Sequence, residues 1–417
     1  MKFLHIADLH LGKSIHGVSL LDNGDQPHWV EQFLSLVDRL RPDAVLMAGD
    51  IYDRGAPSGE AVQLLSRLLT ALAGLNTPVL MTAGNHDSVQ RLSFAAPLLA
   101  RQGVYISRPL TESLELTRLT LQDKNGPVTF YLLPYLFPAL AAQALEDDSI
   151  RDYDTAVRRV LAAQPIDFSQ RNVIVAHQNV TANGKESQRG GSESMVGGVG
   201  QVDYTAFDGF EYAALGHIHA AYPVGRPQVR YAGSPLCYHF DELRQPAKGP
   251  VLVTLGPKGE APALETLALA PLHPMREIKG PYGEMRQAEL SQPRREEYLR
   301  VVLTDQRVTP EAAAFFRDLA QARGSVLMEL TSEYRYAPSG LSPTGPSTGE
   351  ERVESLFSAF MSQRTGVAPQ AQDEALLAYL GELTRQADAH QKPDPAQIQR
   401  ALDFLLKQED SHATDPA

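Results

Sequence analysis

A single cysteine, Cys237, and a single tryptophan, Trp29, stand in 417 residues. One cysteine excludes an internal disulfide and a structural zinc site of the multi-cysteine type, and its scarcity fits a reducing compartment. Long apolar runs are also missing. The longest charge-free apolar stretch, Phe130 to Leu145, is interrupted by Pro134 and Pro138 and falls short of the roughly 20 residues a bilayer span needs. The N-terminal Met1–Asp8 segment turns polar too early for a secretory h-region. These absences predict a soluble cytoplasmic protein with no membrane partner. Positive charge is in deficit as well: 38 Lys and Arg stand against 50 Asp and Glu, a formal net charge of −12. A chain of that sign acting on phosphates needs bound cations, a local basic patch or a partner that supplies positive surface.

What is present is an ordinary globular composition, 43% hydrophobic and 21% charged, which excludes global disorder. In the first third, short apolar runs alternate with helical patterns. Lys2–Ala7, Ala44–Ala48 and Pro78–Ala83 read as strands; Trp29–Leu40 and Glu60–Leu72 read as amphipathic helices. That alternation predicts a layered α/β domain with a sheet buried between helices. Val128–Leu133, Val173–Ala176, Tyr212–Leu215, Val229–Ala232 and Val251–Leu255 follow as further strands. Few helices separate the last of them, which predicts a second, more antiparallel sheet. From Met275 to Glu333 the order strand, helix, strand, helix, strand predicts a small α+β domain, its second helix opened by Thr309 as N-cap and Pro310 at N1. The expected organisation is therefore 1–272 as the main domain, 273–336 as a small capping domain, 337–350 as a Pro/Gly/Ser/Thr-rich linker and 351–417 as amphipathic C-terminal helices. A Gly/Ser-rich stretch over 181–200 is long for a compact domain and is either functional or a spacer.

Five histidines and several acids follow predicted strands directly: Asp8-Leu-His10, Gly49-Asp50, Gly84-Asn85-His86-Asp87, His177 and Gly216-His217-Ile-His219. Ligands at the carboxyl ends of parallel strands converge on one edge of a sheet. Asp8 with His10, and His217 with His219, fall two residues apart and share a side of an extended segment. Glycine before Asp50, Asn85 and His217 permits sharp turns and close approach. A mixed nitrogen and oxygen donor set suits first-row divalent ions such as manganese, iron or zinc rather than calcium. A lone histidine after a strand would be a packed core residue; this many in one pattern point to metal.

The set Asp8-Leu-His10, Gly49-Asp50-Ile-Tyr-Asp53-Arg54, Gly84-Asn85-His86-Asp87, His177 and Gly216-His217-Ile-His219 resembles the calcineurin-like metallophosphoesterase superfamily. Within it, Phe3–Gly12, Gly84–Ser88, Tyr231-Ala-Gly-Ser-Pro235 and Phe240-Asp-Glu242 resemble the SbcD-type nucleases. The resemblance implies an α/β fold, a two-sheet metallophosphoesterase sandwich flanked by helices with the small capping domain and C-terminal helices appended. It implies two divalent ions, manganese with magnesium as the alternative. Asp8, His10, Asp50 and His219 would hold one; Asp50, Asn85, His177 and His217 would hold the other, with Asp50 as bridge. His86, left without a metal, would contact phosphate or protonate the leaving oxygen. The string around Asp50 also resembles Ser/Thr phosphoprotein phosphatases. There the second acid supports the catalytic histidine, so Asp53 is expected to orient His86, with a turn-stabilising role as the alternative. Arg54 would bind phosphate or pair with an acid on the adjacent helix.

The implied activity is a metal-dependent DNA nuclease, exonuclease on double-stranded ends and endonuclease on single strands or hairpins, in DNA repair and recombination. Its implied partners are an SbcC-like ATPase, docked through the C-terminal helices, and a second copy of the chain in a heterotetramer. A phosphomonoesterase or small-molecule phosphodiesterase is the alternative on the same scaffold, and a non-catalytic repair scaffold is a third reading that the intact ligand set argues against. His5 reads as core, as does Trp29 at the head of its helix. His16, His28 and His239 lack ligand-like spacing, although His16 and His28 follow the first metal loop. Arg276, Lys279 and Arg294-Arg295 read as a solvated face unless the small domain contacts DNA.

Overall fold

The computed structural model describes residues 1–334 apart from 183, 185–199, 246–247 and 291–295. The linker and C-terminal helices expected from sequence, most of the Gly/Ser-rich stretch and Arg294-Arg295 lie outside the described residues.

Two six-stranded sheets pack face to face. In the first, Lys2–Ile6, Ala44–Ala48, Val79–Thr82 and Val104–Ile106 run parallel in that order. Val251–Thr254 and Ala263–Thr266 add antiparallel strands on the far side of Lys2–Ile6. The strands Ala44–Ala48 and Val79–Thr82 are buried throughout, as expected for parallel strands covered on both faces. Phe3, Leu46, Leu80, Phe130, Val173 and Tyr212 fill the layer between the sheets with no solvent exposure. Phe3 meets Phe130 edge-on at 5.5 Å, and His5 gives that layer a hydrogen bond between its Nδ1 and the Tyr212 hydroxyl at 2.9 Å. Burial pushes the His5 imidazole down to about 3, so it sits there neutral, as a core residue.

On the outer face of the first sheet lie the helices Asp25–Leu40 and Gly59–Gly74. The first buries Trp29, Val30, Phe33, Leu36 and Val37, a stripe of helical period, with Trp29 stacked on Phe33 at 5.1 Å. The second begins at Ser58, whose side chain accepts from the Ala61 N–H. Pro138–Leu145 and Tyr153–Ala162 cover the outer face of the second sheet.

The second sheet departs from the sequence reading. Its central strands Gly126–Leu133, Arg171–His177, Tyr212–Gly216 and Arg226–Tyr231 are all parallel, and only the edge strands Thr117–Asp123 and Pro223–Val224 are antiparallel. The helices Pro138–Leu145 and Tyr153–Ala162 make the first crossover and the second passes through 178–211, so the apparent shortage of helices misled. Val251–Thr254, read with this group, belongs to the first sheet.

Past residue 274, Met275–Gly280, Tyr298–Leu303 and Val326–Ser332 form a three-stranded parallel sheet with helices Tyr282–Leu290 and Pro310–Arg323. The strand–helix order matches the pattern read from sequence, and Thr309 caps Ala312 as its position predicted. Arg276 is not a free surface charge: its guanidinium is gripped by Glu289 and Glu297 at 2.7–2.9 Å. Lys279 pairs with Glu333 at 2.7 Å.

Candidate metal centre

All seven residues read as ligands come to one edge of the sandwich, where the parallel strands of both sheets end. Asp8 and His10 follow Lys2–Ile6, Asp50 follows Ala44–Ala48, and Asn85 follows Val79–Thr82. His177 closes Arg171–His177, and His217 and His219 follow Tyr212–Gly216, paired in register with it. The backbone is strained there: Asp8, His10, Asp50 and His217 carry φ of 54°, 42°, 48° and 105°. Left-handed conformations at non-glycine residues cost on the order of 1–3 kcal/mol each and persist only where the surroundings impose them.

The loops are tied to one another through their own carboxylates. The His217 N–H donates to Asp8 Oδ1 at 2.9 Å, and the His86 N–H donates to Asp50 Oδ1 at 2.9 Å. Asp50 Oδ2 then lies 3.3 Å from His177 Nε2 and 3.6 Å from His10 Nε2. Asn85 Oδ1 sits 3.1 Å from His177 Nε2 and 3.0 Å from His217 Nδ1. Burial alone would raise the Asp50 carboxyl, but the charge and hydrogen bond of His177, then His10, hold it well below the usual carboxylate range. Burial likewise disfavours charge on His177, yet Asp50 and Asp8 hold its imidazole up at about 9. His10 is pushed down to about 4 by burial, against the pull of Asp53 and Asp50.

This donor set fits divalent cations. Three groups, Asp8 with His10 and His219, His10 with Asp50 and His86, and Asp8 with Asp50 and His177, have ligand atoms within 4.8 Å of one another. His177 Nδ1–H donates to the Ala48 carbonyl at 2.8 Å, which turns a lone pair at Nε2 onto the oxygens of Asp50 and Asn85. A proton on His177 or a bound cation reconciles these three acceptors. The His10 and His219 Nε2 atoms stand 3.2 Å apart, while their Nδ1 atoms lie beside Asp53 and Glu242 at 3.4 Å. With those Nδ1 atoms protonated, two lone pairs face each other and a shared cation relieves them.

The three residues read as catalytic are placed less uniformly. His86 is exposed, edge-on to His10 at 4.8 Å, and its Nδ1 is 2.9 Å from a carbonyl, that of Asp53. Asp53 thus meets His86 through its backbone; its carboxylate is turned to Lys13 at 2.8 Å and to His10. Arg54 is 84% exposed and, among the described residues, pairs with Asp53 at 3.9 Å and not with an acid on the adjacent helix.

The glycines act chiefly by leaving room. Gly49 has φ of 80°, but Gly84 and Gly216 have no left-handed backbone. A Cβ on Gly84 would lie 2.1 Å from Asp50 Oδ1, and one on Gly216 would lie 1.8 Å from the Ala48 carbonyl.

Several supporting residues were given no role by the sequence. Asp87 accepts from the N–H groups of Ile51, Tyr52 and Gly84 at 2.9–3.1 Å and locks two ligand loops together. Burial, then Asp50, pushes its carboxyl up to about 6. The Gln26 side chain donates to the His10 carbonyl at 2.8 Å and accepts from the Gly12 N–H at 2.9 Å. Tyr238 places its hydroxyl 2.8 Å from the Leu9 carbonyl. Buried Glu242 touches His219 and Lys248; burial alone would raise its carboxyl, and these two partners bring it down to about 2. Asp87 and Glu242 stand in motif segments, which was their one signal; Gln26 carried none, since only folding brings its helix to the first loop.

Residues 1–221 match the family model of the calcineurin-like phosphoesterases, and the chain belongs to that family. It is a phosphoesterase carrying a divalent-metal donor set. Among curated proteins it is 32% identical over 308 residues to the SbcD component of the nuclease SbcCD from Staphylococcus saprophyticus, spanning 72% of this chain and 77% of that one. The SbcD proteins are thus its family within the larger class. A solved structure, the psychrophilic beta-glucosidase BglU of Micrococcus antarcticus, aligns at 13% identity over 79% of this chain and 83% of that chain. Its TM-score of 0.20 is too low to bear on the fold. Among the described residues, no helix is long and apolar enough to cross a membrane.

Proposed function

We propose that this chain is the nuclease component of an SbcCD-type complex: a two-metal phosphodiester hydrolase that degrades double-stranded DNA from its ends and cuts single strands or hairpins. The observation that carries the reading is the convergence of Asp8, His10, Asp50, Asn85, His177, His217 and His219 on one sheet edge. It is joined by the similarity to an SbcD protein over most of both chains. In this reading Asp8, His10, Asp50 and His219 hold one ion, Asp50, Asn85, His177 and His217 hold the other, and manganese is the expected metal. The ions, when bound, supply an activated water near neutral pH and neutralise charge on the transferring phosphoryl group. Two carboxylates against two divalent cations leave a positive locus that attracts a phosphodiester despite the net charge of −12.

The chain's own residues do the rest. His86, with Nδ1–H on the Asp53 carbonyl, carries its remaining nitrogen as the group that contacts phosphate and hands a proton to the leaving oxygen. Asp53, salt-bridged to Lys13, orients His10. Exposed Arg54 is free to grip a neighbouring phosphate.

The partners follow the family: an SbcC-type ATPase that gives access to duplex ends, bound through 351–417, and a second copy of the chain. Support for the homodimer comes from Val62 and Phe94, 45% and 80% exposed, lining an apolar groove of about 710 Å³, with Leu98 63% exposed beside it. Apolar exposure of that kind marks association surfaces.

The test uses the purified chain and Asp50→Ala with end-labelled duplex, single-stranded DNA and p-nitrophenyl phosphate, in manganese or magnesium, with and without the ATPase and ATP. Manganese-dependent DNA degradation that Asp50→Ala abolishes is the expected result. Monoester hydrolysis with DNA left intact would instead establish a phosphatase on the same scaffold.

A further inference from the structure

We propose that Tyr135 and Phe137 form an aromatic shelf beside the metal centre, on which the nucleobase next to the scissile phosphate stacks. The inference rests on the nuclease reading above and adds a subsite for the base to it. The segment Pro134-Tyr-Leu-Phe-Pro138, which in the sequence only broke an apolar run, follows the strand Gly126–Leu133. Leu133 pairs with Ala176, so the segment leaves the second sheet level with His177. The Tyr135 N–H donates to the Ala83 carbonyl at 2.9 Å, which ties the segment to the loop that carries Asn85. Leu136 is buried between the two aromatic residues, and the flanking prolines fix φ at either end.

Tyr135 is half-buried, and its ring centroid lies 6.2 Å from that of His177 and 6.2 Å from that of His217. Tyr153, at the head of Tyr153–Ala162, meets the same ring at 6.1 Å and bonds its hydroxyl. Phe137 stands edge-on to Tyr135 at 4.9 Å, and 47% of its surface is exposed. The rings thus run from two residues of the proposed ligand set outward to an open aromatic face.

A single exposed phenylalanine needs no explanation by itself. This one ends a run of rings that begins at the ligands, so what covers it lies within one nucleotide of a phosphate held there. Every nucleobase has a flat π-face, so stacking tolerates any sequence. That suits an enzyme that must accept successive bases as they come. Stacking also needs no positive charge, which this chain of net −12 has in deficit.

The test uses the full chain with manganese, alone and with the ATPase and ATP, on end-labelled single strands. The strands are intact or carry one abasic residue walked across the cleaved position. The wild type should cut about 5- to 100-fold more slowly when the abasic residue falls at the stacked position. Phe137→Ala should slow cleavage of the intact strand by a similar factor, through KM more than kcat, and should no longer distinguish abasic from intact strands. Phe137→Trp should restore the wild-type pattern, whereas Phe137→Leu, apolar but not flat, should not. The ratio of wild type to Phe137→Ala should hold as salt is raised, unlike the loss of a phosphate contact. Manganese binding by calorimetry should be the same in both. No abasic penalty in the wild type, or one that Phe137→Ala retains, would overturn the shelf. Full rescue by Phe137→Leu would overturn it in favour of an apolar contact with protein, and loss of manganese in Phe137→Ala in favour of a support for the metal centre. A wild type that cuts no DNA would overturn the nuclease reading itself.

Discussion

Asn85 offers one amide oxygen to two histidines, 3.1 Å from His177 and 3.0 Å from His217. Truncation removes a donor atom without opening a core cavity, because the residue is exposed. Asn85→Ala should therefore fold normally by circular dichroism, bind one manganese ion instead of two, and lose DNA cleavage; full activity would refute its role as a ligand. His86 sits differently. Its ring is close enough to His10 and Asp50 to complete a three-ligand group, yet its place in the proposed chemistry is proton transfer. His86→Ala should keep two bound ions by calorimetry and lose on the order of 10²-fold or more in turnover. A drop to one ion would make His86 a ligand. The residue types at the site were legible because aspartate, asparagine and histidine after strand ends have few structural uses in that density. Their supports were not, because Lys13 with Asp53, and Lys248 with Glu242, look like ordinary surface charges until the fold buries them.

At the scale of elements, the central strands were readable from apolar runs, whereas the edge strands Val104–Ile106, Thr117–Asp123, Pro223–Val224 and Ala263–Thr266 were not, and the helix Gly59–Gly74 was within two residues of its sequence bounds. The helix expected from Trp29 begins instead at Asp25, after Gly24 at φ of 90°. Its first turn holds Asp25, Gln26 and Pro27, polar or helix-breaking in pattern, and Asp25 and Gln26 are buried by tertiary partners that no local period reveals. Strand direction was the other loss. Apolar runs carry no sign of parallel or antiparallel pairing, so the second sheet was misread at its second crossover, where the described residues hold no α-helix. The strand ends also explain the glycines: Gly84 is where the loop after Val79–Thr82 crosses Asp50, with no room for a methyl group. Gly84→Ala forces Asp50 or its loop to move. It should lower thermal stability by about 1–3 kcal/mol as an overpacked core site and weaken manganese binding more than Gly74→Ala, whose Cβ meets nothing within 4 Å.

The whole molecule is acidic, and one ionic cluster ties its two sheets. Asp123 on the edge of the second sheet accepts from the Met1 ammonium at 2.7 Å and from buried Arg171, while the Met1 ammonium also donates to the carbonyl of Leu255, just past the first sheet's strand Val251–Thr254. Arg171, ahead of opposing burial, and then the chain's amino terminus hold the Asp123 carboxyl well below its usual range. A carboxyl depressed in the folded state contributes stability that is complete above its unfolded value, about 3.9, and is lost as pH falls further. Asp123→Asn should thus lower the melting temperature most at pH 5–7, with the gap to wild type narrowing below about pH 4. A gap constant with pH would mean that the carboxylate charge is not what Asp123 contributes. The net charge of −12 returns the question to cations, because without them this surface repels its proposed substrate. Anomalous scattering from a manganese-loaded crystal tests that most directly. Two peaks should flank Asp50, one bonded to Asp8, His10 and His219, the other to Asn85, His177 and His217; a single peak, or peaks elsewhere, would contradict the account.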